Sequence, residues 1–473
     1  MAALHDLSAL DQAAAIRDGQ TTAVELTQHY LERSRELSDT VGAFVTFAEE
    51  LALDQARAAD DRVRSTTDPT SLPQLLGVVC PVKDLSFVAG VGTRFGSELV
   101  DITPEEDDNV VKRMRAEGLV FTGKTSTPEI GLPCYTESPT TAAARSAWDL
   151  DRSAGGSSGG AAAAVAAGLA PLAHGSDGGG SIRIPAAVTG LVGIKPSRAR
   201  ISNGPLGDSV GDLVTHGPLA RSVADAAALL DAMAGRFPGD PLTAAGPLHG
   251  SFLDAARRDP GKLRIGFYTK PALAAVPVHP DVVSAVTETA KALSELGHEV
   301  EEVAPPFNDL LLPNFMTLWT TMALLFPVPP EDEERLRPLT RYLRELGRGV
   351  SGSELATAVS ILRIAARSAL TVTDQFDAVL APTLADIPAK VGQLRNDDDP
   401  AKDFDDQVSY SPYCACYNVT GQPSINVPMN WNALGLPIGI QLVGRMNDEE
   451  TIISLAAQLE AAHNWHDRIP EVW

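Results

Sequence analysis

The chain is poor in cysteine, in aromatic residues and in positive charge. Four Cys among 473 residues are too few for a disulfide scaffold. Cys414 and Cys416 stand two positions apart, a poor spacing for a metal pair, and no second CxxC accompanies them. Reduced, buried thiols in a cytoplasmic protein are the reading, with no metal and no cofactor. Lys and Arg number 38 against 61 Asp and Glu, a formal charge of −23. Such a surface repels phosphate backbones, which argues against nucleic acid as a partner, and it gives no help on anionic membranes. Long apolar runs are missing too. The stretch from Gly159 to Ala173 is mostly Ala and Gly, too short and too weakly apolar for a membrane span. The opening MAALHDLSALDQ has no basic stretch leading into an apolar segment, so no targeting signal is expected.

What is present is ordinary for a globular protein: 44% hydrophobic and 21% charged residues. Aromatics are only 5%, while Gly and Pro number 39 and 34, which implies many turns, close backbone approaches and Ala-rich packing. The length corresponds to about three domains at roughly 150 residues each. No clean linker or internal repeat divides the chain, so a single unit over 1–473 is expected. Within it, residues 1–65 read as an N-terminal helical layer and 66–235 as a catalytic core. Residues 310–417 read as a variable pocket region.

Leu7 to Ile16 and Thr22 to Leu37 read as amphipathic helices, the second opened by a Thr22–Glu25 capping box. Ala48 to Val63 reads as a third. The pattern then becomes α/β. Leu76 to Pro81 and Leu119 to Phe121 are strand candidates, and Asp108 to Ala116 and Gly160 to Gly168 are helices. Ile182 to Ile194 consists of short apolar segments broken by Pro185 and Gly190. Ser222 caps a helix to Met233, with Asp225 at its third position. Arg264 to Phe267, Pro280 to Leu296 and Glu299 to Val303 form a βαβ-like unit. Leu310 to Phe326 is core helix or pocket wall, and 334–373 is largely helical. Residues 395–407 hold six Asp and read as a solvated loop, because their spacing does not fit an EF-hand. Strands at Ser424 to Pro428 and Ile438 to Val443 precede a last helix, Glu449 to Ala462.

Four segments depart from core or loop composition. GVVCPVKDLSFVAGVGTRFGS, residues 77–97, brings Lys83 and Asp84 to the end of an apolar strand, where burial lowers a lysine pKa. AGGSSGG, residues 154–160, runs straight into an Ala-rich helix, as a flexible linker does not. HGSDGGGSIRIPAA, residues 174–187, puts three glycines before Ser181. Glycine N–H groups unobstructed by side chains suit an oxyanion hole. GQPSINVPMNWNALGLPIGIQLVGR, residues 421–445, reads as turns and two strands.

No histidine is placed for a Ser-His-Asp triad, and there is no GxSxG elbow, P-loop or dinucleotide-binding glycine motif. His174 and His216 read as satisfied structural groups, and His463 and His466 as surface or packing groups. A serine nucleophile without histidine needs another base, and neutral lysine is the candidate.

In these segments the chain resembles the amidase signature family, over most of its length. The stretch from AGGSSGG through GGGSIRIPAAVTGLVGIK, residues 154–195, carries the resemblance most specifically. It implies an α/β fold: a large mixed, twisted β-sheet core covered by helices on both faces. It also implies a catalytic set of Lys83, Ser157 in a cis peptide, and Ser181 as nucleophile. The two serines lie 24 residues apart. Ser158 takes a supporting role. Backbone N–H groups of Gly178, Gly179, Gly180 and Ser181 are the expected oxyanion hole. Asp177 and Arg183 are expected to support the nucleophile loop, by hydrogen bonds or as a buried pair. The family pattern GTDTGGS is GSDGGGS here, so Ser176 and Gly178 replace two threonines without touching the three catalytic positions.

Family members cleave linear amides, anilides, fatty acid amides, carbamates, malonamate and cyclic amides, and the expected partner here is a small-molecule amide. Some supply the glutaminase step of an aminoacyl-tRNA amidotransferase. The tyrosine-rich stretch of that subunit is absent, which favours a stand-alone enzyme, with a homodimer as the assembly considered. A catalytically silent binding protein on the same fold is a further alternative, opposed by the intact Lys83, Ser157 and Ser181. RSAGGSSGGAAAAVAAGLAPLAHGSDGGGSIRIPA is similar in style to the enzymes that open the cyclic dimer of 6-aminohexanoate. Segments 129–137, 314–326 and 410–417 are the expected pocket walls. Cys134, Phe315, Trp319, Tyr413 and Cys416 are the candidates to line it, for an apolar, aryl or cyclic substrate.

Overall fold

The computed structural model describes residues 3–207 and 210–473. Near the N-terminus β1 (Phe44–Phe47), β2 (Val82–Lys83) and β3 (Gly123–Thr125) form a small sheet in the order β1-β3-β2, with β2 parallel to β3. β4 (Arg145–Ser146) and β5 (Asp149–Ser153) pair antiparallel. The main sheet comprises β6 (Leu172–Asp177), β7 (Val192–Lys195), β8 (Thr215–Ala220), β9 (Arg264–Phe267), β10 (Glu299–Glu302), β11 (Ala378–Pro382), β12 (Ser424–Trp431) and β13 (Pro437–Gly444). Its order is β10-β9-β11-β13-β12-β7-β8-β6. The pairs β10–β9 and β9–β11 are parallel and the rest antiparallel, so the sheet is mixed.

Both faces of this sheet are covered, and strand alternation shows it. Along β11, Ala378 and Leu380 join one core, while Val379 and Ala381 join the other. The first core takes the helices Val223–Met233, Pro280–Glu295 and Glu449–His463. The second takes Leu311–Met322, Pro338–Arg348 and Gly352–Thr373. The helix Gly352–Thr373 is the one helix among the described residues long and apolar enough to cross a membrane by length and composition. Its Ala358, Leu362 and Ala366 pack in the second core.

Local signals were reliable where they were local in origin. Thr22 and Glu25 form the capping box of Ala23–Val41, and Ser222 accepts from the Asp225 N–H at the start of Val223–Met233. The Ala-rich helix Gly159–Ala166 is buried at every position. The last helix runs Glu449–His463.

Three readings change. Leu76 to Pro81 and Leu119 to Phe121 contribute a single bridge, Val79 to Val120, and the paired strands lie just beyond, at Val82–Lys83 and Gly123–Thr125. Gly77 sits at φ +81 and Pro81 offers no N–H, so pairing between them is confined to that bridge. The segment after Ile182 contains a helix, Arg183–Thr189, capped by Gly190 at φ +72. Pro185 is tolerated in its first turn, where backbone N–H groups lack intrahelical partners. The acidic stretch is a loop only to Asp399, which accepts from Lys402 N–H and caps the helix Pro400–Tyr410.

Candidate active site

Lys83 ends β2 with its side chain fully buried. Its Nζ lies within hydrogen-bond distance of Ser157 Oγ at 2.8 Å, of the Ser176 carbonyl at 3.1 Å and of Ser176 Oγ at 3.1 Å. Burial lowers its pKa from 10.5 to about 7, with Asp177 pulling weakly the other way. Near neutral pH much of this amine is therefore an unprotonated base. The Lys83 backbone N–H donates to His174 Nδ1 at 3.3 Å, and His174 Nε2 lies 3.0 Å from His216 Nδ1. Nδ1 of His174 thus carries no proton, which assigns the Nε2–H to the bond with His216. Burial lowers both histidines below their ordinary range, His216 to about 4. They are satisfied neutral groups that hold β2.

The Gly156–Ser157 peptide bond is cis. A Cβ at Gly156 would stand 2.7 Å from the Tyr135 backbone, so only glycine passes there. Ser158 accepts the turn at its back: its N–H donates to the Ser181 carbonyl at 3.2 Å, and its Oγ to the Ser176 carbonyl at 3.2 Å. Ser158 therefore links the two serine segments and the Lys83 anchor.

The loop from Asp177 to Arg183 is wound around one carboxylate. Asp177 accepts from the N–H of Gly180 at 2.7 Å and of Ile182 at 3.1 Å. It pairs with Arg183 through Nε and Nη2, both at 3.0 Å, and both side chains are fully buried. Arg183 also donates to Asn418 Oδ1, Gln441 Oε1 and the Cys414 carbonyl. Burial alone would raise the Asp177 pKa, but Arg183, Lys195 and Asn418 outweigh it and hold the group ionised, well below the carboxylate range. Of the two expected arrangements, the buried pair and the hydrogen-bonded support, the loop uses both at once. Asn418 and Gln441 were not singled out in the sequence. Each is distant in the chain, and only the fold brings them to Arg183.

Gly180 has φ +130, and a Cβ there would stand 2.7 Å from Cys414 Cβ and Ile184 Cδ1. Its N–H is bound to Asp177, which removes it from the expected oxyanion hole. Among the described residues, the N–H groups of Gly178, Gly179 and Ser181 have no protein acceptor. The Ser181 side chain makes no hydrogen bond among the described residues, and catalytic hydrogen bonds commonly tighten only with substrate in place.

Ser181 opens onto a cleft of about 540 Å³, open solvent at its mouth included. Of the candidates, Cys134, Phe315 and Trp319 line it, Phe315 and Trp319 as a stacked pair 5.5 Å apart. Tyr413 and Cys416 do not. Tyr413 is fully buried behind the wall and donates to the Thr269 carbonyl at 2.6 Å, and the Cys416 thiol lies 3.0 Å from the Tyr413 carbonyl. Their helix, Ala415–Thr420, and the turn before it present Ala415 to the cleft instead. Among lining residues not named individually from the sequence, Leu273 lies outside the expected stretches, Leu312 lies inside 310–417, and so does the face Phe404, Gln407, Val408 and Ser411, of which Ser411 falls in the expected 410–417 wall. That last set has helical spacing, and Pro400 after Asp399 was the available signal for a helix start. The six aspartates masked it. Gln407 is held on both sides, accepting from Cys134 N–H at 2.7 Å and donating to Asp403 at 2.6 Å. Among the described residues, no charged side chain lines the cleft.

A serine opening on an apolar cleft, near a buried amine and a second serine, is compatible with hydrolysis of an amide. The family model described as Amidase matches residues 25–453. The chain belongs to the amidase family, whose members act on carboxylic amide C–N bonds. It is 37% identical to AmiB2 of Mycobacterium tuberculosis, over 98% of this chain and 97% of that one. It is 32% identical to the 6-aminohexanoate-cyclic-dimer hydrolase of Paenarthrobacter ureafaciens, over 98% and 96%. Among solved structures it is similar to a 6-aminohexanoate cyclic dimer hydrolase complexed with substrate: TM-score 0.90, 29% identity, 99% of both chains. A peptide amidase bound to chymostatin gives a TM-score of 0.82 at 28% identity, over 97% of each chain.

Proposed function

We propose that this amidase works through Ser181, Ser157 and Lys83, on a small to medium apolar, aryl or cyclic amide. The observation that carries the reading is the 2.8 Å bond from Lys83 Nζ to Ser157 Oγ, in a buried site beside the serine that opens on the cleft. Neutral Lys83 accepts the Ser157 proton as Ser157 accepts that of Ser181. Ser181 Oγ forms a bond to the amide carbon, and the negative charge moves to the carbonyl oxygen. N–H groups of Gly178, Gly179 and Ser181 stabilise that oxygen. As the tetrahedral species collapses, Ser157 returns a proton to the nitrogen, the C–N bond breaks and the amine leaves. The protonated leaving group matters because an amide anion is a very poor one. Water then attacks the acyl-enzyme with the same groups in reverse, releasing acid and Ser181.

The substrate class rests on the cleft. Leu132, Leu273, Leu312, Phe315, Trp319 and Phe404 form its walls, and the polar Gln407 is already committed to protein partners. Apolar acyl groups gain about 25 cal/mol for each Å² buried there, whereas a charged group finds no counter-ion. The similarity to cyclic-dimer hydrolases supports a cyclic amide in the same class. Residues 310–417 are proposed as the stretch in which preference between related enzymes varies.

The test is labelling with a fluorophosphonate probe, followed by peptide mapping. Label on Ser181, lost in Ser181→Ala, is the expected result. A folded protein that takes no label, or takes it elsewhere, would sink the reading. A mass-spectrometric panel of linear, aryl and cyclic amides then sorts the substrates.

A further inference from the structure

Lys83 is followed in the chain by an acid. If Asp84 faced the Lys83 amine, it would hold that amine protonated and useless as a base. The structure places the two on opposite faces. Lys83 ends β2, and the Asp84 N–H continues the pairing by donating to the Thr125 carbonyl at 3.1 Å. Successive side chains of an extended segment point to opposite sides. Lys83 therefore turns toward Ser157 and Ser176, and Asp84 turns away with Val82. On β3, Lys124 is the register partner of Val82, so it lies on the Asp84 side.

There the two charges meet. Lys124 Nζ lies 3.0 Å from Asp84 Oδ1, and both side chains are fully buried. Lys124 also donates to Thr93 Oγ1 at 2.8 Å, and Asp84 Oδ2 accepts from the Arg94 N–H at 2.9 Å. Burial pushes the Asp84 carboxyl up and the Lys124 amine down, while the attraction between them opposes both shifts. A buried pair of this kind is weak evidence for stability, because desolvation offsets most of the attraction. A role beyond stability is thus worth assigning.

We propose that Lys124 is a positioning residue for the amidase reaction: it captures the Asp84 carboxylate on the far face of β2 and keeps it from acting as counter-ion to Lys83. This rests on the reading of Lys83 as the base. The other groups facing the two lysines are accounted for. Asp177 faces Lys83 from the end of β6 but is claimed by Arg183. His174 and His216 face Lys83 as neutral rings. Asp108 faces Lys124 at longer range and accepts from the Phe87 N–H at 2.9 Å.

The test is the pH profile of kcat/KM on a chromogenic anilide the enzyme accepts, whose acidic limb reports deprotonation of Lys83. Lys124→Met leaves Asp84 without its cation, which favours protonated Lys83, so the limb moves to higher pH. Asp84→Asn keeps the shape but leaves Lys124 uncompensated, so the limb moves to lower pH. Each displacement is expected at a fraction of a pH unit, because Asp84 and Lys124 lie on the face of β2 away from Lys83. Lys124→Arg keeps the cation and the wild-type limb, and Asp84→Asn with Lys124→Met returns it towards wild type. If Lys124→Met does not fold, the near-isosteric Asp84→Asn decides alone. A limb unmoved in the folded single variants overturns the proposal. Lys83→Ala separates the two ideas: full activity there removes Lys83 as the base, whereas lost activity with an unmoved limb removes only the role of Lys124.

Discussion

Replacing Lys83 by Met should slow the reaction and, at neutral pH, stabilise the fold. The reasoning is linkage. Unfolded, the Lys83 amine has a pKa near 10.5; folded, burial lowers it to about 7. Between those values the unfolded chain binds the extra proton, so native stability rises with pH across the window and falls as pH drops through it. Below about pH 7 the penalty is complete. The displacement of about 3.5 pH units is worth about 5 kcal/mol at 1.36 kcal/mol per unit. Met fills the same space without a charge. It forfeits the three hydrogen bonds to Ser157 and Ser176, at about 1 kcal/mol each. The net gain at pH 6–7 is about 2 kcal/mol. The assay is thermal unfolding of wild type and Lys83→Met side by side from pH 6 to pH 10.5. The variant should melt higher at the acid end, with the gap closing as pH rises, reversing at about pH 8.5 and reaching the full cost of the lost bonds by about pH 10.5. The loss of general-base catalysis should cost about 10²- to 10⁴-fold in acylation rate. A variant that is less stable at pH 6, or a gap independent of pH, refutes the depressed pKa and with it the neutral base.

The remaining predictions concern the loop and the cleft. Arg183→Met strands the buried Asp177 carboxylate and should destabilise the protein by about 3–5 kcal/mol. Thermal melts check it, and an unchanged melting temperature contradicts the account of the loop. Trp319→Ala removes one ring of the stacked wall and should raise KM for aryl amides more than for small aliphatic ones. Equal effects on both classes in steady-state kinetics would place the ring in the core and not in the substrate's path.

The covalent neighbourhood of the proposed chemistry was readable in the chain. Lys83, the GGSSGG turn and the GGGS loop are short motifs whose physical demands are local: a buried strand end, a close backbone approach, free N–H groups. Helix caps at Thr22 and Ser222 were legible for the same reason, since a cap involves residues three apart. What needed the fold was every decision about which distant groups meet. Lys83 and Ser157 are 74 positions apart, and Arg183 reaches Asn418 and Gln441 from the far end of the chain. Tyr413 and Cys416 had the composition of pocket residues, yet the orientation of one short helix turned them into the core and offered Ala415 instead.

The Asp84 problem shows the division most sharply. From sequence, an acid next to the proposed base is a threat to its neutrality. Strand alternation turns the two side chains apart, a rule that the sequence contains. Only the parallel pairing of β2 with β3 puts Lys124 beside Asp84, because register between strands is a property of the assembled sheet. The sequence by itself determined which groups are the candidates for the chemistry, and their small-residue surroundings. The tertiary structure decided their charge states, because burial and counter-ions come from segments far apart in the chain.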